Sequence, residues 1–292
     1  MASLPSHGAR RLACHTIRWE PSMPAAIVYT IRPTAPASVP ANLGRAAHAA
    51  ILRLIQDSDP ALAARLHDED GVKPLTVSNV QGLGQGRSSQ LDPARDSHLR
   101  VTFLSPALEE IATGWTPERI GTLDLDGLSW QVVGVALDRA AHPWAGATNY
   151  EALAAPLLER SAAPPARWEL HFAAPVTFRR RGANMPLPLP ELVFGSLLDK
   201  WNACAPIALP DEVRRYAEEC LAISRYDLRS LTEPTSGGAM QVGGVGRCTY
   251  VSISRDRYWQ ACITTLARFA FFSGVGAGAA RGFGQARLSD EK

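Results

Sequence analysis

The sequence predicts an α+β fold made of two tandem ferredoxin-like (βαββαβ) domains, the second of which carries a C-terminal glycine-rich loop. The chain has 292 residues and is 46% hydrophobic, which is enough for two cores of ordinary size. Strand-like and helix-like patterns follow each other in the order β-α-β-β-α-β, and this order occurs twice. A segment rich in alanine and proline, residues 154–166, separates the two series and is predicted to be a linker.

The N-terminal domain is predicted at residues 21–153, after a poorly ordered leader at residues 1–20. Its first helix has apolar residues at i, i+3, i+4, i+7 and i+8, and Asp126-Gly127 between two apolar runs predicts a hairpin turn. Residues 82–90, rich in glycine, serine and glutamine, predict a flexible loop. The predicted elements are strands at 26–31, 73–80 and 98–104, helices at 42–56, 62–67 and 106–113, and a hairpin at 120–137.

The C-terminal domain is predicted at residues 167–292 and repeats the same order without a visible sequence repeat. Its first strand alternates apolar and polar residues, and Ser254 is the predicted N-cap of a long apolar helix. The predicted elements are strands at 168–178, 221–227, 239–242, 247–253 and 285–288, and helices at 190–204, after Pro210 and at 254–272.

A glycine-rich segment between the last helix and the last strand is the most unusual part of the sequence. Five glycines fall within residues 274–284. In phosphate-binding loops of the strand–loop–helix type the glycines open a helix, whereas here they follow one, so neither a P-loop nor a dinucleotide fingerprint is predicted. Glycine allows positive φ and close approach of a ligand to the backbone. The segment is predicted either to contact a polyanion or to brace the cleft between the domains.

Composition limits the partners of the protein. The net charge is +2, which argues against indiscriminate coating of nucleic acid but allows a local basic track. Five cysteines without CxxC spacing favour neither a disulfide framework nor a zinc site. Because residues 1–21 hold no apolar signal sequence and no apolar run is long enough to span a bilayer, we expect a cytoplasmic protein without membrane contact.

Four stretches in a fixed order carry a resemblance to a known family. They are residues 59–78 (Asp59-Pro60 to Ser78), residues 172–178 followed by 186–202 (PLPLPELVFGSLLDKWN), the turn at 243–246, and Gly274-x-Gly276 followed by Gly282-Phe283-Gly284. With these stretches the chain resembles the CRISPR-associated repeat-processing endoribonuclease family of the RAMP superfamily, whose members cut precursor transcripts into guide RNAs. It departs from the family at Gly278 and Ala279, where a basic and a hydroxyl residue are usual.

The resemblance implies an endoribonuclease that cleaves CRISPR repeat RNA without a metal or any other cofactor. A ribose 2′-hydroxyl attacks the adjacent phosphate and leaves a cyclic phosphate and a 5′-hydroxyl, which requires a proton carrier and cations. A non-cleaving RAMP subunit of an interference complex remains the alternative, and a ferredoxin-like metabolic enzyme has no acid–base or metal motif to support it. The implied partners are repeat RNA and other subunits of a CRISPR effector complex, with the protein itself a monomer or homodimer.

The candidate catalytic residues lie on the first strand and the first helix. His48 is the predicted proton carrier, since the family often has its catalytic histidine on this helix. Arg45 lies three residues earlier and is the predicted cation near the phosphate, and Tyr29 could orient the phosphate or the 2′-hydroxyl. His67 is expected instead to bond to local backbone.

The candidate RNA-binding residues are basic residues and glycines of the second domain. The densest basic run ends its first strand, and arginine clusters suit the phosphates of A-form RNA. The predicted RNA-binding residues are Arg179, Arg180, Arg181, Arg247, Gly274, Gly276, Arg281, Gly282 and Gly284.

Overall fold

The computed structural model describes residues 24–68, 71–84, 86–159, 161, 163–180, 182–234 and 240–289. The predicted leader, residues 1–20, and Arg181 of the basic run lie outside the described residues. Within the described residues, no helix is long and apolar enough to cross a membrane.

The first half of the chain forms a ferredoxin-like sheet with helices on one face. Its elements are β1 (Ala25–Pro33), β2 (Ala37–Pro40), α1 (Gly44–Ser58), α2 (Pro60–Asp68), β3 (Leu75–Val77), β4 (Ser88–Leu91), β5 (Ser97–Phe103), α3 (Pro106–Ala112), α4 (Pro117–Ile120), β6 (Thr122–Leu125), β7 (Leu128–Ala136), β8 (Gly146–Ala147) and α5 (Tyr150–Leu158). The strand order is β3-β5-β1-β7-β6, and β8 pairs with β1. Asp126 and Gly127 both have positive φ, as the predicted hairpin turn requires.

The second half repeats this topology. Its elements are β9 (Arg167–Val176), β10 (Phe178–Arg180), β11 (Ala183–Met185), α6 (Pro190–Cys204), α7 (Glu212–Cys220), β12 (Leu221–Pro234), β13 (Met240–Ser252), α8 (Arg257–Ser273) and β14 (Ala286–Leu288). The sheet order β12-β13-β9-β14 places the last strand beside the first, as in the N-terminal half. The predicted fold of two tandem ferredoxin-like domains is confirmed.

Each half has its own apolar core. Residues between Ile27 and Val132 form one core, and residues from β9 onwards form most of the other. Leu153 and Ala154 of α5 pack into the second core. The predicted linker at 154–166 is therefore wrong over its first part, because Asn149 caps a helix that continues to Leu158 and buries its apolar side.

Three further predictions need correction. The predicted flexible loop at 82–90 contains β4, which pairs with β2 in a separate small sheet. The two strands predicted on either side of residues 243–246 are one strand, β13, because its glycines fit into the ladder with β12. The N-cap of α8 is Asp256 and not Ser254, since the Asp256 carboxylate accepts hydrogen bonds from the first backbone N–H groups of the helix.

Candidate active site

A cavity of about 700 Å³ lies between the two domains. The N-terminal domain contributes α1 and the segment before β3, and the C-terminal domain contributes β10, α6 and the glycine-rich segment. His48, Lys73, Lys200 and Arg281 all line it. The predicted proton carrier and the glycine-rich segment therefore share one cavity, although they lie more than 220 residues apart in the chain.

His48 is half-buried in the wall of this cavity. Its Nδ1 atom is buried and has no hydrogen-bond partner among the described residues. Burial lowers the pKa of His48, and the positive charges of Arg281 and Lys73 lower it further. The imidazole is therefore neutral at neutral pH, which is the form that can accept a proton.

The cavity wall has a surplus of positive charge. Lys73, Arg179, Lys200 and Arg281 line it. Of the carboxylates on this wall, Asp199 pairs with Arg214. Glu191 pairs with Arg180 at 3.6 Å, so neither of these carboxylates forms its salt bridge with Arg179 or Arg281. Such a wall attracts an anion such as a phosphodiester.

The start of α1 packs directly on the glycine-rich segment. A Cβ atom on Gly44 would lie 2.6 Å from the carbonyl oxygen of Arg281, so only glycine allows this approach. The backbone N–H of Gly282 donates to the carbonyl of Val77 at 2.9 Å and ties the segment to β3. These contacts bring the charge of Arg281 to the helix that carries His48.

The glycines of the segment shape the loop. The predicted RNA contact is wrong for Gly274, Gly282 and Gly284, because all three are buried with positive φ. The N–H groups of Gly282 and Gly284 donate to protein carbonyls, and a Cβ on Gly284 would lie 2.2 Å from the carbonyl oxygen of Val275. Gly276 alone among the four predicted glycines lines the cavity.

A short part of the segment keeps free donors. Gly278, Ala279 and Ala280 line the cavity, and no hydrogen bond joins their backbone N–H groups to other described residues. Three successive N–H groups beside Arg281 can donate hydrogen bonds to a phosphate oxygen. Residues 278–280, which include both positions at which this sequence departs from the family, therefore offer backbone donors on the cavity wall.

Two of the three predicted catalytic residues are not in the cavity. Tyr29 is only 1% exposed, in the N-terminal core, where burial raises its pKa. This contradicts a contact with the phosphate, because the apolar face of β1 points into the core. Arg45 is exposed on α1, three residues before His48, but is not among the described residues that line the cavity.

The predicted arginines are divided between surfaces. Arg179 and Arg281 line the cavity that contains His48, while the exposed Arg180 is not among its lining residues but pairs with Glu191 on its wall. Arg247 lines a second cavity of about 1160 Å³, whose wall combines residues 138–153 of the N-terminal domain with residues of the C-terminal domain. Six of the described residues around this second cavity are arginines, namely Arg139, Arg167, Arg225, Arg247, Arg268 and Arg287.

Lys73 and Lys200 were not predicted as site residues from the sequence, and His67 was not predicted to be catalytic. Lys73 donates to the carbonyl of Leu66 at 2.6 Å and so joins the end of α2 to the cavity. His67, which follows Leu66 in the chain, is exposed. Its imidazole forms no hydrogen bond with the described residues, contrary to the expected bond to local backbone. Lysine and histidine at these places give no periodic signal, so only their positions in the fold identify them.

Two ferredoxin-like domains, a glycine-rich loop before the last strand and a basic cavity between the domains define an RNA-binding protein of the RAMP class. The family model for CRISPR-associated endoribonuclease Cas6 matches residues 170–286, and that for the CRISPR Cas6 N-terminal domain matches residues 23–125. The chain belongs to the Cas6 family, as its motifs predicted. Among curated protein sequences, none matches it significantly.

Solved structures of Cas6 proteins are similar to this chain over most of its length. The chain is similar to a Thermus thermophilus Cas6, with 29% identity, a TM-score of 0.71, and coverage of 93% of this chain and 100% of that chain. The product complex of that relative has 28% identity, a TM-score of 0.75, and coverage of 91% and 100%. A second Cas6 product complex has 26% identity, a TM-score of 0.72, and coverage of 91% and 99%.

Proposed function

We propose that the protein is a metal-independent endoribonuclease that cleaves CRISPR repeat RNA in precursor transcripts, in the cytoplasm, and so produces guide RNAs. The observation that carries this proposal is a neutral histidine beside surplus cations in a cavity between the domains. Similarity to relatives solved as product complexes and as a substrate mimic complex supports repeat RNA as the ligand.

His48 accepts the proton of the ribose 2′-hydroxyl in this proposal. The resulting alkoxide attacks the adjacent phosphorus and forms a 2′,3′-cyclic phosphate, while the bond to the 5′ oxygen breaks. The leaving oxygen takes up a proton and becomes a 5′-hydroxyl. Lys73 and Arg281 stabilise the charge that develops on the phosphate oxygens, because both are close enough to His48 to lower its pKa.

The arginine-lined cavity provides a second surface for the same RNA. Its cations come from both domains, and Arg287 stacks on Trp144 with its guanidinium 4.7 Å from the ring centroid. Arginines in this arrangement bind phosphates without reading bases. We propose that RNA outside the cleavage site binds there.

The test is cleavage of labelled repeat RNA by the purified protein in EDTA. Wild-type protein should produce a fragment with a cyclic phosphate end. His48→Ala should lower the single-turnover rate at least a hundredfold, because loss of a general base removes about two to four orders of magnitude. RNA affinity should change little, since a neutral imidazole contributes little to phosphate binding.

His67→Ala is the comparison variant, because His67 is the exposed histidine nearest in sequence to the cavity. A loss of cleavage in His67→Ala alone would transfer the proton-accepting role to α2. Cleavage that requires added metal would reject the mechanism. Tight binding by wild-type protein without cleavage would favour a non-cleaving RAMP subunit.

A further inference from the structure

The last carbonyl groups of α8 accept hydrogen bonds from side chains of both domains. The pairs are Arg100 Nη2 to Phe271 O (2.5 Å), Thr102 Oγ1 to Phe272 O (2.7 Å), and Lys200 Nζ to Ser273 O (3.2 Å) and Gly274 O (2.9 Å). Two cations therefore face the negative end of the helix dipole at the point where the glycine-rich segment begins.

The side-chain nitrogen of Lys200 is buried, which disfavours the charged form of this group. Its burial lowers the pKa of the ammonium group to about 7, although Cys204 and Asp199 nearby act in the opposite direction. A buried ammonium must be hydrogen-bonded, and the two carbonyls use two of its three donors. Lys200 also lines the cavity that contains His48, so its charge lies beside the proposed reaction and not in a remote part of the core.

Ser196 holds the same segment at a second point. It lies one helical turn before Lys200, and its hydroxyl accepts a hydrogen bond from the backbone N–H of Gly276 at 2.9 Å. Side chains on one face of α6 therefore form hydrogen bonds with the segment on both sides of Val275. The next N–H, that of Ala277, donates to the carbonyl of Thr177 at 2.8 Å and fixes the direction in which the chain continues into the cavity.

We propose that Lys200, with Ser196, is a positioning residue for RNA cleavage: it fixes the first turn of the glycine-rich segment, so that Arg281 and the free N–H groups of residues 278–280 face the phosphate at His48. This inference rests on the proposed endoribonuclease function. Lys200 acts through the segment, and its removal should slow the cleavage of bound RNA more than it weakens binding.

The test compares Lys200→Met and Ser196→Ala with wild-type protein and with Arg215→Met, an exposed cation on α7 outside the cavity. Single-turnover cleavage of repeat RNA is measured at saturating protein, and affinity is measured with an RNA that lacks the 2′-hydroxyl at the mapped cut. Lys200→Met should lower the rate at least tenfold while Kd stays within threefold. Ser196→Ala should act in the same direction, and Arg215→Met should match wild type.

Hydrogen exchange reports the position of the segment directly. Backbone N–H groups of residues 274–277 should exchange faster in Lys200→Met and Ser196→Ala than in wild type. An unchanged cleavage rate, or equal losses of rate and affinity, would overturn the proposal. If Lys200→Met does not fold, Ser196→Ala decides by the same criteria. Absence of cleavage by wild-type protein would reject the endoribonuclease function itself, and this inference with it.

Discussion

Arg281 lowers the pKa of His48 from across the interface between the domains. Burial is the largest cause of this lowered pKa, and of the two positive charges that contribute, that of Arg281 has the larger effect. In the proposed mechanism, Arg281 binds the phosphate and also disfavours protonation of His48. RNA binding and the basicity of His48 are therefore linked. The phosphate, once bound, partly cancels the positive charges and so makes His48 a stronger base at the moment of attack.

Replacing Arg281 with methionine should raise the pKa of His48, because a positive neighbour that disfavours the imidazolium is lost. The pKa should remain below the usual value of 6.5, since burial is the larger cause. The measurement is an NMR titration of the His48 ring in the free protein. Activity that needs neutral His48 is lost as pH falls through its pKa, so Arg281→Met should lose activity at a higher pH than wild type does.

Arg53→Met is the control for this titration, because Arg53 is an exposed cation on the same helix that does not contribute to the lowered pKa of His48. Its His48 pKa should equal that of wild type. A His48 pKa that is unchanged or lower in Arg281→Met would show that Arg281 does not face the imidazole.

At the scale of elements, the glycine-rich segment depends on backbone contacts that no other residue type permits. Gly276 has a φ of +73°, and a Cβ atom there would lie 2.4 Å from the carbonyl oxygen of Thr177. That carbonyl belongs to the chain between β9 and β10, so the steric limit at Gly276 sets the distance between the segment and the basic strand. The first turn of the segment is therefore built by close packing as well as by Ser196 and Lys200.

Gly276→Ala should destabilise the protein by ~3 kcal/mol or more, because positive φ strain adds to a clash with rigid backbone. Gly127→Ala is the matched control, with a φ of +79° in the hairpin turn and no atom within 4 Å of the new Cβ. It should lose only the ~1 kcal/mol that a left-handed conformation costs a residue with a side chain. The measurement is chemical denaturation of both variants. Equal losses of unfolding free energy in the two variants would mean that the close approach to Thr177 does not affect stability.

The elements show what sequence could predict. Helix α6 has its predicted bounds, 190–204, because Pro190 at the first helical position and a regular apolar stripe are local signals. The linker prediction failed because alanine and proline composition does not reveal that α5 packs on α8. The glycine positions were found, and bracing of the cleft was one of the two predicted roles. Which glycines brace it could not be predicted, since that depends on which carbonyl a Cβ would meet across the fold. Lys200 has no sequence signal, because its partners are backbone carbonyls 73 residues later.

At the scale of the whole molecule, the two cavities offer two separate basic surfaces. Residues of both domains line each cavity: one contains His48, and six arginines lie around the other. The joint between the domains is Arg100, a buried cation that donates to carbonyls of Trp144 and Phe271. Burial lowers its pKa to about 9, so the guanidinium remains charged at neutral pH.

Two cavities with separate tasks predict that affinity and rate respond to different arginines. The double variant Arg167→Gln with Arg247→Gln removes two exposed cations from the arginine-lined cavity, far from His48. If both contact phosphates of single-stranded RNA, the slope of log K against log salt should become shallower by ~1.4, about 0.7 for each lost contact. The cleavage rate at saturating protein should stay within twofold of wild type.

The control double variant is Arg95→Gln with Arg215→Gln, two surface arginines outside both cavities that, like Arg247, pair with carboxylates. It should keep the slope of wild type, because surface pairs that do not contact RNA release no counterions on binding. Equal slopes in the two double variants would mean that the arginine-lined cavity is a solvated face. A slope that changes only in Arg167→Gln with Arg247→Gln, at constant cleavage rate, would show that RNA spans the C-terminal sheet while it is cut between the domains.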